Sequence, residues 1–149
     1  TYTIKWNTTP AAVFEQFYTA YKTFWTPERK LKADSLGITP LEVSTVASII
    51  DEETNSKTDR PNVASVYLNR IKKGISTYNT YTNKGLRPGP ICTPQLESIY
   101  AVLDSPKTDY LYFVANSTFD GSHIFTTNYA EHMKYARLYQ QELNKRNIK

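Results

Sequence analysis

Four Thr-Pro pairs punctuate the chain and predict where its helices begin. A threonine hydroxyl can cap the free N–H groups of a helix, and proline is favoured at the first helical position. Each pair therefore predicts a helix N-terminus, and a chain divided in this way is expected to be mostly helical. The pairs are Thr9-Pro10, Thr26-Pro27, Thr39-Pro40 and Thr93-Pro94.

Apolar periodicity extends this prediction to six helices. The first carries an aromatic stripe at helical spacing, formed by Phe14, Phe17, Tyr21 and Phe24. The second is expected to end near Gly37. The others are expected to cover about 40–54, 61–73, 94–103 and 129–145, with Asp59 capping the fourth. The expected inner face of the last helix consists of Tyr129, Met133, Ala136, Tyr139 and Leu143.

Two alternating segments between the last helices predict a β-hairpin. YLYFVA (110–115) and SHIFTT (122–127) flank a turn that contains Asp120-Gly121. The Pro/Gly-rich residues 76–93 have no clear pattern, which favours a functional loop or an undetected strand. The expected fold class is therefore α+β, a mainly helical body with a small antiparallel sheet.

Composition limits the classes of function. The 149 residues, 40% of them hydrophobic, are enough for one domain with a core, covering residues 1–149. The net charge of +4 suits anionic partners such as cell-wall polymer, but no stretch concentrates basic residues, so nucleic-acid binding is disfavoured. Cys92 is the single cysteine and excludes an internal disulfide. Together with His123 and His132 it gives no metal-site spacing, and no cofactor motif is present.

Three acidic residues end the third predicted helix, in ASIIDEET (47–54). At about 100° per residue, Glu53 falls within about 20° of Val46 and close to Ile50. We therefore expect Glu53 to prolong the buried face. Burial against apolar surface raises the pKa of a carboxyl group, as a general acid working near neutral pH requires.

The neighbours of Glu53 fall elsewhere on this helix. Asp51 and Glu52 lie off the apolar line and are expected to face water or the rim of a site. The alternative for Glu53 is a frayed helix end, where it would point to solvent or pair with Arg60 or Arg70. Periodicity alone leaves these interpretations open. His123 is expected to be a packed, hydrogen-bonded strand residue rather than a catalyst.

Five stretches in one order resemble the catalytic domain of the endolytic murein transglycosylases, the YceG-like family. They are ASIIDEET, DRPNVASVYLNRIKKG, STYNTYTNKGLRPGPICTP, DYLYFVA and GSHIFTTNYAEH. The resemblance covers about residues 40–135, and the opening TYTIKWNTTP is also similar. The order of several unrelated motifs makes it specific. The second glutamate of the family's helix motif, which is the catalytic acid, corresponds to Glu53.

The resemblance also implies residues that bind substrate. Tyr78, Asn79, Thr80 and Tyr81 match a Tyr-Asn-Thr-Tyr stretch of the family and are expected to line a sugar-binding groove. The other expected substrate-binding residues are Asp51, Arg70 and His123. The sequence departs from the family in three places. Asp51 replaces the first glutamate of the helix motif, which keeps a carboxylate of shorter reach, and Arg87 replaces a proline. A segment of the family is also absent at 75–76, where we expect a loop to be missing from the sequence.

The family implies a lysozyme-like body that cleaves peptidoglycan glycan strands between N-acetylmuramic acid and N-acetylglucosamine. A single carboxylate protonates the leaving oxygen and then deprotonates the muramyl C6 hydroxyl, which attacks C1. The product is a 1,6-anhydromuramyl end, formed without water. No cofactor or metal is implied.

The resemblance carries further expectations about cellular context. The family has an N-terminal membrane helix and a small glycan-binding module, which are not in this sequence. These features imply a cell-envelope location with an inner-membrane anchor and cell-wall synthases as partners. Two other functions stay open. One is a non-catalytic peptidoglycan-binding or scaffold domain of the elongation machinery. The other is a muramidase with Asp51 or Glu52 as its second carboxylate.

Overall fold

A computed structural model of the protein describes residues 3–74 and 86–146. In this part of the chain the fold is mainly helical with one antiparallel hairpin, which confirms the α+β class. The elements are α1 (Pro10–Phe24), α2 (Pro27–Leu36), α3 (Pro40–Glu53), α4 (Arg60–Lys72), α5 (Leu96–Leu103), β1 (Tyr112–Ala115), β2 (His123–Thr126) and α6 (Tyr129–Lys145). They fall into two compact units, residues 1–40 and 41–149. Among the described helices, none has both the length and the apolar character needed to cross a bilayer.

The first unit contains α1 and α2, and both begin as the Thr-Pro pairs predict. The Thr9 hydroxyl accepts a hydrogen bond from the backbone N–H of Ala12, and the Thr26 hydroxyl accepts one from Arg29. Helix α2 ends at Gly37, whose φ of 76° lies in the left-handed region that favours glycine. Local capping signals therefore fixed these helix ends.

The aromatic stripe of α1 is largely exposed in this unit. Phe14 is 64% exposed, Phe17 and Tyr21 are exposed as well, and α1 contains no buried residue. Periodicity thus predicted the helix correctly but not the burial of its apolar face. Two helices alone enclose little surface, because a stable core needs two packed layers of elements.

The core of the second unit is formed by α3, α4 and α5. Val46 and Ile50 of α3, Val63 and Val66 of α4, and Val102 of α5 are fully buried. Helix α3 is buried at every residue from 45 to 50, so it is surrounded on all sides and not on one face. Its last turn carries the acidic residues to the edge of this core.

The start of α5 differs from the prediction. The helix begins at Leu96, and its N-cap residue Gln95 makes no capping bond of its own. Asp51 of α3 caps it instead. One oxygen of Asp51 accepts the Gln95 N–H at 2.6 Å, and the other accepts the Ser98 hydroxyl at 2.5 Å. A cap supplied by a distant helix gives no local signal, which is why the Thr-Pro pair misplaced this end.

The predicted hairpin and last helix are confirmed. Strands β1 and β2 pair in antiparallel register, with Phe113 opposite Phe125 and Ala115 opposite His123. Helix α6 lies against both strands. On its expected inner face, Tyr129 is 61% exposed, whereas the other four residues are half-buried. The strand face toward α6 brings Tyr112 to 5.4 Å from the His132 ring.

Candidate functional site

A groove of about 610 Å³ opens in the second unit, between the end of α3, the turn after it, the hairpin and α6. This volume lies within the range of roughly 300–1,000 Å³ that is usual for small-molecule sites. Glu53 lies on one wall. The rest of the lining consists of Thr54, Asn55, Ser56, Ala115, Asn116, Phe119, Asp120, Gly121, Ser122, His123 and Tyr139.

The carboxylate of Glu53 is held by one buried tyrosine. The Tyr67 hydroxyl donates a 2.8 Å hydrogen bond to Glu53 Oε1, and Tyr67 itself is 3% exposed. Its ring lies 6.3 Å from that of Phe113. A stiff, buried donor of this kind fixes the orientation of a carboxylate whose other oxygen stays accessible.

The expectation that Glu53 prolongs a buried face is wrong, because Glu53 is exposed. Helix α3 is buried all round and ends at Glu53, so residue 53 extends beyond the core regardless of its angle on the helix. In the part of the chain that the structure describes, neither expected arginine pairs with Glu53: Arg60 lies beside Asp51, and Arg70 donates to the carbonyl of Leu111. Glu53 therefore lies at an exposed helix end, but on the wall of a groove.

Asp51 is not the water-facing residue that its helical angle predicts. Its side chain is 8% exposed, and Arg60 of α4 lies 3.5 Å from one of its oxygens. One oxygen caps α5 through the Gln95 N–H, the other accepts the Ser98 hydroxyl, and Asp51 does not line the groove. Asp51 therefore joins three helices. Its role in substrate binding stays a prediction, whereas Glu52 is exposed as expected.

His123 lies on the groove wall and is tied to Asp59. Its backbone N–H and its Nδ1 lie 2.9 and 3.0 Å from the same oxygen of Asp59. This confirms a hydrogen-bonded strand histidine. Asp59 occupies the N-cap position of α4 but makes no side-chain capping bond, so the prediction that it caps this helix is wrong. Its carboxylate instead accepts a hydrogen bond from the backbone N–H of His123 in the hairpin.

Phe113 links the two hydrogen-bonded pairs, Glu53 with Tyr67 and His123 with Asp59. Its ring lies 6.3 Å from Tyr67 and 5.6 Å from His123. Strand β1 thus supplies one ring that packs both against Tyr67, which holds the general-acid candidate, and against the histidine. The arrangement holds both side chains at fixed positions on the groove wall.

Arg70 lies outside the groove lining. Its Nε donates a 2.7 Å hydrogen bond to the carbonyl of Leu111, and its guanidinium lies 5.8 Å from the rings of Tyr67 and Tyr112. It ties α4 to the start of β1, next to the tyrosine that holds Glu53. Direct substrate binding by Arg70 stays a prediction.

Tyr78, Asn79, Thr80 and Tyr81 lie outside the described residues, as does the position 75–76 where a loop is expected to be missing. Their proximity to Glu53 stays a prediction. The described part of the groove is formed without them.

Sequence reasoning missed part of the groove lining. This part includes Phe119 and Asp120 from the hairpin loop, and Tyr139 from α6. Asp120-Gly121 carried a turn signal, but nothing in the sequence indicated that this turn lines the same groove as Glu53. Hydrogen bonds from the Ser122 side chain and backbone, followed by one from Thr118, lower the pKa of Asp120. The described lining has two carboxylates and no lysine or arginine.

The fold and the groove define a class: a mainly helical α+β protein with a carboxylate-bearing groove that suits an uncharged polar ligand. Comparison with known proteins makes this specific. The YceG-like family model matches residues 1–77 and 75–138. The chain belongs to the YceG-like family. The two matches meet at residues 75–77, the position at which the sequence departs from the family pattern.

Named relatives are bacterial. The chain is 37% identical over 129 residues to the endolytic murein transglycosylase of Bacillus subtilis (strain 168), covering 68% of this chain and 35% of that protein. It is 27% identical over 164 residues to the Streptococcus pneumoniae protein of the same name, covering 89% of this chain and 29% of that one. The chain therefore spans about a third of the length of these relatives.

A solved structure shares the fold. The crystal structure of a YceG-like protein from Listeria monocytogenes superposes with a TM-score of 0.69 at 29% identity, covering 89% of this chain and 52% of that one.

Proposed function

We propose that this chain is the catalytic part of an endolytic lytic transglycosylase that cleaves peptidoglycan glycan strands between N-acetylmuramic acid and N-acetylglucosamine. The observation that carries the proposal is Glu53, oriented by Tyr67 on the wall of the groove. Membership of a family whose relatives are named endolytic murein transglycosylases supports this reaction class.

In the proposed mechanism Glu53 is both acid and base. Its carboxyl group gives a proton to the glycosidic oxygen, and the bond from that oxygen to C1 of the muramyl sugar breaks. Since Oε1 accepts from Tyr67, the proton resides on Oε2. The resulting carboxylate takes the proton of the C6 hydroxyl, whose oxygen bonds to C1. Both reacting groups belong to one bound sugar, so proximity replaces an external nucleophile.

A hydrolytic mechanism would need a second carboxylate acting on water. The two candidates on α3 do not line the groove. Asp51 accepts a hydrogen bond from the start of α5 and pairs with Arg60, and Glu52 is not among the lining residues. Asp120 does line the groove, but Ser122 engages one of its oxygens twice. These positions favour the single-carboxylate reaction.

The remaining substrate contacts are part of the same proposal. His123, with Nδ1 facing Asp59, offers its Nε2 to a sugar group from the groove wall. Tyr78, Asn79, Thr80 and Tyr81 complete the groove. Arg70 and Asp51 contribute to substrate binding by fixing the elements that they join: Arg70 ties α4 to the start of β1, and Asp51 ties α3 to the start of α5.

In the whole protein, the proposal places the catalytic domain, residues 1–149, outside the cytoplasmic membrane. A membrane helix and a glycan-binding module would precede it, a loop would be inserted near 75–76, and cell-wall synthases would be its partners. The substrate would then be newly made glycan strands in the cell envelope.

The test is digestion of purified glycan strands in ¹⁸O-labelled water, with mass analysis of the new ends. The proposal expects unlabelled anhydromuramyl ends, which are lighter than reducing ends by one water. Labelled reducing ends would establish a muramidase instead. Binding to the strands without any cleavage would favour a scaffold domain.

A further inference from the structure

We propose that Phe119, Asp120 and Tyr139 form a second sugar subsite, which binds an uncharged N-acetylhexosamine of the glycan strand in the groove that Glu53 also lines. This inference rests on the proposed function, because it assigns a part of the substrate to a part of the same groove. It adds a specificity site that the family resemblance did not point to.

The backbone at Phe119 is the first observation. Its φ of 59° makes it the single non-glycine residue with positive φ in the described part of the chain. Bulky residues rarely adopt this conformation, and those that do tend to lie where a ligand is bound. A turn in which the Phe119 N–H donates to the carbonyl of Asn116 at 3.1 Å holds the residue in place. The ring is thereby directed to the groove wall.

The ring itself is supported from outside the loop. Tyr139 of α6 lies 5.2 Å from it at an interplanar angle of 30°, and the guanidinium of Arg146 lies 4.4 Å from its centroid. Both rings line the groove. An aromatic pair fixed by a helix is a preorganised apolar surface, which suits the C–H groups of a pyranose ring.

Asp120 adds a polar partner beside this pair. Its Oδ1 accepts hydrogen bonds from the Ser122 N–H and hydroxyl, which stiffen the loop. The same hydrogen bonds lower the pKa of Asp120, so it remains an acceptor for sugar hydroxyls in mildly acidic solution.

The acidic residues of the groove suit an uncharged ligand. Glu53 and Asp120 line it, and the guanidinium of Arg146, which is not itself a lining residue, lies over the Phe119 ring. Sugar hydroxyls donate to carboxylates, so the two acidic residues offer acceptors to an uncharged sugar. A groove of about 610 Å³ also exceeds the needs of one sugar ring. The ring pair therefore holds a sugar next to the one at Glu53.

The test measures binding of chitin tetrasaccharide to the Glu53→Gln chain by calorimetry, so that cleavage does not interfere. Phe119→Gly removes the ring and suits the left-handed backbone, and it should weaken binding about tenfold. Phe119→Tyr keeps the ring and should stay within about twofold. Tyr18→Ala removes an exposed ring in the first unit and should change nothing.

The thermal midpoint separates binding from folding. We expect Phe119→Gly to melt within about 5 °C of its parent. If it melts lower, Tyr139→Leu, which keeps α6 apolar at this position, takes its place with the same expected loss. Unchanged affinity in the variant that stays folded, or no binding of the tetrasaccharide by the parent, would overturn the subsite.

The two proposals fail in different ways. Suppose that wild-type protein produces anhydromuramyl ends and that Phe119→Gly is as active as wild type on both long and short strands. This result would support the reaction and reject the subsite. If tetrasaccharide binding depends on the Phe119 ring but wild-type protein produces no anhydromuramyl ends, the subsite is supported and the reaction is rejected.

Discussion

At the scale of single residues, the site depends on how one carboxylate is held. Glu53 is exposed, so its reactivity cannot come from a dry environment. Its distinguishing feature is the hydrogen bond from Tyr67, a residue buried between α3 and the hairpin. A fixed donor on one oxygen leaves the other oxygen to exchange protons with a ligand in the groove.

Tyr67→Phe should lower kcat about tenfold or more while changing KM less than about twofold. The substitution keeps the ring against Phe113 and removes the hydroxyl that donates to Glu53, so proton transfer suffers more than substrate binding. Steady-state kinetics on glycan strands would measure both constants. A Tyr100→Phe variant removes a hydroxyl outside the groove lining and serves as the control. If Tyr67→Phe raised KM and left kcat unchanged, this would contradict a positioning role for Tyr67.

At the scale of elements, α5 depends on a cap from another helix. Asp51 accepts from Gln95 and Ser98 and lies beside buried Arg60. This arrangement links three helices through one carboxylate. It also places the acidic end of α3 next to the core, with Glu53 two residues further along the chain.

Asp51→Ala should lower the free energy of unfolding by about 3 kcal/mol, because it leaves Arg60 buried without its partner and α5 without its cap. Urea denaturation of both proteins measures the difference. Glu52→Ala, an exposed neighbour, should change stability by less than about 0.5 kcal/mol. Equal stability of the Asp51 variant and the parent would show that the cap and the ion pair contribute nothing.

Helix α6 should make stability depend on pH. Burial, and then the charge of Arg70, lower the pKa of His132 below its usual 6.5. The unfolded chain then binds its proton at higher pH than the folded chain, so stability falls as the pH drops below about 6.5. The thermal midpoint of the parent should therefore be lower at about pH 5.5 than at about pH 7.5, and His132→Phe should make this difference smaller.

The matched control for this helix is Tyr129→Phe. Its ring lies 6.1 Å from that of His132 in the same cluster, and the substitution keeps the ring and leaves His132 in place. It should keep the pH dependence of the parent. Identical pH profiles for the parent and His132→Phe would assign the acid sensitivity to other groups.

These elements also show how far the sequence could predict the molecule. Caps at Thr9 and Thr26 and the Asp120-Gly121 turn are local, and the elements that they mark were predicted correctly. The start of α5 and the burial of Asp51 depend on contacts between distant segments. Helical periodicity selected Glu53 for burial that does not exist, because α3 has no single buried face. The family motif selected the same residue independently of burial.

At the scale of the whole molecule, the charge of the chain and the charge of the groove have opposite signs. The chain carries a net charge of +4, which favours association with anionic polymers in general. The described lining of the groove bears two carboxylates without lysine or arginine, and under the proposed function these accept hydrogen bonds from the hydroxyls of a glycan. The wall formed by the hairpin loop and α6 could not be predicted, since it exists only once the second unit is folded.

The most direct measurement compares the ends that Glu53→Gln and Glu52→Gln produce from purified glycan strands, with folding of each variant checked by its thermal midpoint. The two residues are neighbours and both are exposed, but only Glu53 lines the groove and accepts from Tyr67. We expect Glu53→Gln to form no anhydromuramyl ends and Glu52→Gln to form them at nearly the wild-type rate. Undiminished anhydromuramyl ends from folded Glu53→Gln would contradict the assignment of Glu53 as the acid.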